Sequence, residues 1–262
     1  MGLTHPQKPP FTDPGRRQLL RLASAALGSS LLGAGCASVA PQGPARGEVV
    51  PFSSSDRLGG LPEGWRQHIT RPDRPVTQYT LERIDQRVAL HAQAASATSG
   101  VRCDVSIDLA EHPWMRWEWR VDRIPREATV ADDDLDDSPA RLVLGFGGDP
   151  GKLSLRDRLF ADQVELFTGE TLPYATLCYV WDGQAATEAV LPYARSSRIR
   201  YLVVETGAGA TGRWQAYRRN VVADYQRVYG ELPGPLLGVG VLTDSDDLKG
   251  PAEAWFGDIV LE

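Results

Sequence analysis

Cysteine, methionine and histidine are scarce in this chain of 262 residues, which holds three, two and four of them. So little sulfur and imidazole argues against a disulfide scaffold or a zinc ribbon. Beyond residue 35 the histidines are His68, His91 and His112. Each stands alone, without zinc-ligand spacing and without a Gly-x-Ser-x-Gly elbow to serve. A phosphate loop is missing too, because Gly207, Gly209 and Gly212 run into Arg213 and Trp214 where Lys and Ser or Thr would be needed. No apolar run reaches the roughly twenty residues of a membrane span. Past residue 35 there is also no Lys/Arg cluster of the kind that releases counterions from a nucleic acid.

What is present begins with an address. Arg16, Arg17, Gln18, Leu19, Leu20 and Arg21 precede an apolar run from Leu22 to Gly35, and together they resemble a twin-arginine export signal. Leu31, Leu32, Gly33, Ala34, Gly35 and Cys36 resemble a bacterial lipobox, with the nearest leucine four places before the cysteine where three is usual. Cleavage after Ala40 by the ordinary peptidase is opposed by Pro41, and the apolar run is too short for a transmembrane anchor. The reading is therefore a signal over residues 1–35, membrane attachment through lipidated Cys36, and a periplasm-facing place in the cell envelope. Removing residues 1–35 takes away four basic residues and one acidic residue, so the formal charge moves from −6 to −9. Nucleic acid is not an expected partner. Residues 36–48, rich in Ala, Pro, Gly, Gln and Ser, read as a flexible tether, and residues 49–262 as a single domain.

Period-two patterns dominate that domain. They run through Val88 and Leu90; Val101, Cys103, Val105 and Ile107; Met115, Trp117, Trp119 and Val121; Leu142, Leu144 and Phe146; Leu177, Tyr179 and Trp181; Tyr201 to Glu205; Leu237 to Leu242; and Trp255 to Leu261. Short strands separated by turn signals imply a mainly β fold, a two-sheet antiparallel sandwich of jelly-roll type. Trp214, Tyr217, Val221, Tyr225 and Val228 instead fall three and four apart, ahead of Gly230 and Pro233, and this predicts one amphipathic helix over residues 214–229. Cys103 and Cys178 form an even pair in an oxidising compartment. Cys103 alternates with core residues, however, and twin-arginine export carries folded chains, so the fold is not expected to depend on a bridge.

Several short sequences together resemble a bacterial family known as domain of unknown function 3047. They are Leu61 to Trp65; Trp117, Glu118, Trp119, Arg120 and Val121; the acidic run before Pro139, Ala140 and Arg141; Tyr179, Val180 and Trp181; Arg219, Asn220 and Val221 with Asp224 and Tyr225; and Thr243, Asp244, Ser245 and Asp246. The resemblance spans the chain from about Val50 to its end. It implies the fold and the exported compartment and leaves the chemistry open.

Asp132, Asp133, Asp134, Asp136 and Asp137 place five carboxylates in six positions. Like charges this dense repel by about 1 kcal/mol per close pair even in water, so the loop is either solvated or holds a cation. Calcium, which takes six to eight oxygens, would draw on Asp132, Asp134, Asp136 and Asp137 there and on Asp244, Asp246 and Asp247 in a second loop. That second loop is not an EF-hand, because Leu248 and Trp255 stand at ligand positions of the template. The competing reading for both loops is a solvated turn. Asn220 and Asp224 lie side by side on the predicted helix, where Asp224 is either a ligand contact or half of a helix-to-sheet salt bridge with Arg116, Arg120 or Arg141. Of seven tryptophans, Trp117 and Trp119 read as core, while Trp65, Trp114, Trp181 and Trp214 sit near strand or helix ends, where a groove could use them as sugar platforms. These four, with Arg141, Asn220 and Asp224, are the candidate ligand-binding residues. No catalytic residue is assigned. Two functions of different class follow: a glycan-binding envelope lipoprotein with structural calcium, or a glycan-cleaving enzyme. The enzyme would need a carboxylate pair about 5 to 10 Å apart, for which Glu118, Glu165, Glu205 and the Asp loops are the candidates. A third is an envelope interaction protein without a small ligand.

Overall fold

The computed structural model describes residues 47–262; the export signal, Cys36 and most of the tether lie outside the described residues. Period-two sequence becomes strand, save that the run from Trp255 to Leu261 breaks at residues 257–259 into two strands. In β5 (Trp114–Val121) Met115, Trp117, Trp119 and Val121 are buried while Trp114, Arg116, Glu118 and Arg120 face away from the core. The strands before it are β1 (Trp65–His68), β2 (Gln78–Ile84), β3 (Arg87–Ala95) and β4 (Thr98–Ile107). After it come β6 (Arg141–Phe146), β7 (Ala175–Asp182), β8 (Val190–Pro192), β9 (Ile199–Thr206), β10 (Trp214–Asn220), β11 (Leu236–Asp244), β12 (Pro251–Phe256) and β13 (Val260–Leu261).

One sheet has seven strands in the order β1-β4-β11-β6-β7-β9-β8, and the other has six, β10-β5-β12-β3-β2 with β13 beside β5. From β3 to β6 and again from β9 to β12 the chain alternates between them, which makes a two-sheet sandwich of jelly-roll type. Among the described residues the pairings are antiparallel save one: β7 and β9 run parallel, because the chain leaves for β8 at the sheet edge and returns in the same direction. The sheets meet through aromatic rings. Trp117 of the six-stranded sheet stacks 4.9 Å from Tyr179 of the seven-stranded one and 5.1 Å from Tyr217, with Trp119 edge-on at 5.8 Å.

The seven-stranded sheet also has a second, smaller core on its outer side. Cys178, Val180, Tyr201 and Val203 pack there against Val130, Ala185, Ala189 and Leu191. This explains why β7 is buried along its whole length and shows no polar face. Cys103 lies in the main core and Cys178 in the outer one, with β11 and β6 between their strands, so the two cannot pair with each other. Burial pushes the Cys178 thiol up to about 12.

The helix predicted over 214–229 is corrected at its start. Residues 214–220 form β10, which pairs with β5 from Trp214 opposite Arg120 to Asn220 opposite Trp114. A full ladder along β5 outweighs a helical stripe that holds only Trp214 and Tyr217 in that part. Helix α2 (Val221–Tyr229) starts where the Asn220 side chain accepts from the Ala223 N–H at 2.9 Å, and stops at Gly230, whose φ of 72° a side chain would resist. A second helix, α1 (Leu155–Thr168), has no counterpart in the sequence reading. Asp157 is its only buried residue, so it carries no apolar stripe to read. It is docked by Asp157, which takes hydrogen bonds from Ser154, Ser196 and Ser197.

Asp224 does sit in a helix-to-sheet salt bridge, but its partner is Arg219 and not Arg116, Arg120 or Arg141. Arg219 donates through Nε at 2.6 Å and Nη2 at 2.8 Å, and the Tyr179 hydroxyl adds a third bond at 2.8 Å. Asn220 is spent on the helix cap. Replacing Asp224 by Ala leaves the buried Tyr179 hydroxyl without its acceptor, a loss of about 1–3 kcal/mol. Thermal unfolding should register this as a drop of several degrees in a folded protein, and an unchanged melting temperature would remove the bridge from the account.

Candidate functional site

The outer face of the six-stranded sheet carries a continuous polar and aromatic row. Strand register lines up Thr80 of β2, His91 of β3, Trp255 of β12, Arg120 of β5 and Trp214 of β10. At ~4.8 Å per strand the row spans about 19 Å. Its neighbours along each strand, among them Leu90, Ala92, Ala254, Phe256, Trp119 and Val121, are buried in the core, so alternation turns the row outward.

From His91 to Trp214 the row is braced by its neighbours. The His91 ring stacks on Trp255 with centroids 4.6 Å apart and planes 5° from parallel. Its Nδ1 lies 3.0 Å from Glu82 Oε2 and its Nε2 lies 2.7 Å from Glu253 Oε1. Trp255 Nε1 donates to the other oxygen of Glu82 at 2.5 Å, and the Arg120 guanidinium sits 5.4 Å from the Trp255 ring centre. Asp85 ties the far end together, accepting from Arg120 at 3.1 Å and from Trp214 Nε1 at 3.0 Å. Asp85 and Gln86 form the two-residue turn between β2 and β3 with φ of 49° and 64°, a left-handed conformation that non-glycine residues resist. Arg87 then covers Trp214 at 4.6 Å and pairs with Glu118 at 2.5 Å. His91 and Trp255 form the floor, 8% and 6% exposed, and the carboxylates, guanidiniums and Trp214 form the surface above it.

The candidate ligand residues separate here. Trp214 and Trp114 both lie on this face, at opposite ends of the β5–β10 pair. Trp114 is 37% exposed, with Arg218 above it at 4.2 Å. Trp65 and Trp181 are core instead. Trp65 packs 4.7 Å from Phe52 and donates to the Val50 carbonyl, and Trp181 is fully buried and donates to the Gly207 carbonyl. A position near a strand end does not say which way the ring points. Arg141, Asn220 and Asp224 are engaged elsewhere. Glu82, His91, Glu253 and Trp255 were missed as a group, and their only trace in the sequence is polar-aromatic alternation on two strands. The three candidate glutamates are not brought into a pair, and the Asp loops gather apart from this face. Glu118 is bound to Arg87, Glu205 accepts from the Tyr217 hydroxyl at 3.1 Å, and Glu165 stands exposed on α1.

The two acidic loops meet at the other end of β6 and β11. Arg141, 5% exposed, donates to Asp136 at 2.9 Å and to Asp244 at 3.0 Å. Asp137 accepts the backbone N–H groups of Asp247 and Leu248 at 3.0 and 2.7 Å, and Asp246 meets Arg74 Nε at 3.0 Å. Burial pushes Asp136 up to about 6 against the pull of Arg141, and the same cause holds Asp244 well above the usual carboxylate range. Asp132 and Asp134 are not part of this knot. They are exposed, and Asp132 caps the backbone N–H of Asp134 in the turn reading. Repulsion sends them outward because nothing basic in the knot reaches them.

A third polar cluster lies on the outer side of β1 and β4. Arg66 and Arg102 each bind both Asp104 and Glu170, and His68 Nδ1 lies 3.9 Å from Glu170.

Fold and faces define a two-sheet jelly-roll domain whose seven-stranded sheet is covered on its outer side at β6, β7 and β9, and whose six-stranded sheet has an outer face that is polar, aromatic and uncovered among the described residues. The chain belongs to the family described as protein of unknown function (DUF3047), whose model matches residues 63–260. No curated protein matches it. Among solved structures it is similar to endoglucanase 3 of Trichoderma harzianum from family GH12, at 6% identity over 78% of this chain and 93% of that one, with a TM-score of 0.39. The xyloglucanase domain of NopAA, a type three effector from Sinorhizobium fredii, gives 5% identity, 78% and 96% coverage and a TM-score of 0.39. The carbohydrate-binding module TmCBM27, described for specific mannan recognition, gives 11%, 81% and 93%, and 0.30. The superpositions are loose.

Burial first, and the Arg102 charge second, hold His68 down at about 4 from an ordinary 6.5. The unfolded chain therefore binds this proton at a higher pH than the folded one. The stability present above pH 6.5 is lost as the pH falls toward 4. Comparing His68→Gln with the unmodified protein across that window should show a flatter melting-temperature profile in the variant. Superimposable slopes would mean that His68 titrates the same way in both states.

Proposed function

We propose that this chain is an exported envelope protein, held at the membrane by lipid on Cys36, whose sandwich binds a glycan on the outer face of the six-stranded sheet and does not cleave it. The observation that carries the reading is the row from Thr80 to Trp214, where aromatic rings, guanidiniums and carboxylates share one open face. Sugars present apolar ring faces to stack on indole and hydroxyls that both donate and accept, and this face offers partners for each. Binding is favoured over hydrolysis because a hydrolase needs two carboxylates placed to work on one bond. Glu82 and Glu253 instead clamp the two nitrogens of His91, and Glu118 is paired with Arg87. The export signal and the acidic charge of the mature chain fit the same compartment.

Two experiments test this. The protein with lipid attached should retain oligosaccharides on a glycan array without releasing reducing ends, and Trp214→Ala should weaken Kd roughly two- to tenfold, the worth of one aromatic stack. An array without hits, or a Trp214→Ala protein that binds as before, removes the glycan reading. Cys36→Ser should move the protein from the membrane fraction to the soluble one, and continued membrane association would remove the lipid anchor.

A further inference from the structure

We infer that the acidic knot between the start of β6 and the end of β11 binds one hard divalent cation of the calcium class, held by Asp137, Asp246 and Asp247. The inference does not depend on what the sheet face binds. Geometry comes first: one oxygen each from Asp137, Asp246 and Asp247 lie within 4.8 Å of one another. Two oxygens bound to a calcium ion at about 2.3–2.6 Å are at most about 5.2 Å apart, so three at this spacing can share one ion. Asp137 is already fixed for the task, because the backbone N–H groups of Asp247 and Leu248 hold one oxygen each and leave each oxygen a further lone pair.

A second observation comes from outside that trio. Asp244 is 7% exposed, its Oδ1 has no hydrogen-bond partner among the described residues, and the neighbouring Asp246 adds to the burial that holds its carboxyl up. Two carboxylates so placed in a buried site need something positive between them. Arg141 takes the other oxygen of Asp244, and Arg74 stands at Asp246 without reaching hydrogen-bond alignment. The charges leave room for an ion: Asp136, Asp137, Asp244, Asp246 and Asp247 outnumber Arg71, Arg74 and Arg141, and two of these arginines, Arg71 and Arg74, are shared with the exposed Asp73, so the knot keeps an excess of negative charge. An all-oxygen donor set suits calcium and not zinc, which prefers nitrogen and sulfur. A cation here would fasten the loop after β11 to the loop before β6.

The test is thermal unfolding of the full protein in excess calcium chloride and then in chelator. At a hundredfold excess over Kd the melting temperature should rise by about 5–10 °C for a domain this size, and calorimetric titration should give one ion per chain. Asp247 is half-buried and its carboxylate accepts no hydrogen bond among the described residues, so Asp247→Ala should match the unmodified protein in chelator and lose the calcium shift. Equal melting temperatures of the unmodified protein in calcium and chelator overturn the site, and Asp244 and Asp246 would then share a proton. An Asp247→Ala protein that keeps the full shift overturns it as well.

Discussion

A buried guanidinium holds this fold at its most charged point. Arg141 opens β6 in the middle of the seven-stranded sheet, almost wholly out of water, and a cation there is tolerable only with anionic partners at close range. Those partners come from far apart in sequence: Asp136 lies five residues before it and Asp244 lies 103 after it. Satisfying Arg141 therefore brings the end of β11 to the start of β6. Neighbouring bonds follow the same path, from Asp244 N–H to the Ser138 carbonyl and from the Thr243 hydroxyl to the Pro139 carbonyl. The carboxylates left over after Arg141, Arg74 and Arg71 are served are a consequence of this arrangement.

The two sheets divide the work by what covers them. The seven-stranded sheet packs inward on Trp117 and its neighbours, and at β6, β7 and β9 it packs outward as well, on Val130, Ala185 and Leu191. The six-stranded sheet is buried on one side only. Its outer groups still lie in the sheet's register, and register is what sets His91 beside Trp255 and Arg120 beside Trp214. A flat row of this kind is rigid because each side chain is held by the next strand.

Each strand legible from alternation is present, and β5 shows why: Met115, Trp117, Trp119 and Val121 could only share one face. The hidden elements have specific causes. Helix α1 buries one charged residue and presents Leu155, Leu159 and Leu166 to solvent, so it lacks the periodicity that reveals a helix. Strand β10 imitates a helix because Trp214 and Tyr217 happen to continue the stripe of α2. Trp65 and Trp181 look like Trp114 in sequence, each near the end of a strand, yet two are core and one is surface. Along the acidic run, Asp132 and Asp137 are indistinguishable by type, and burial separates them only once Asp247 and Leu248 arrive with their backbone N–H groups.

What the sequence by itself determined is local: which residues alternate, where chains of β structure must fold over a core, which family the ordered motifs belong to, and that two loops are too acidic to be neutral. The tertiary structure decided which of these meet. It brought the acidic loops into one knot, put Glu82 and Glu253 on either side of His91, and gave Asp224 to Arg219. The reason is physical. The face on which a side chain lies follows from backbone periodicity within a few residues, whereas its partner follows from strand order and register, which depend on packing summed over the whole domain.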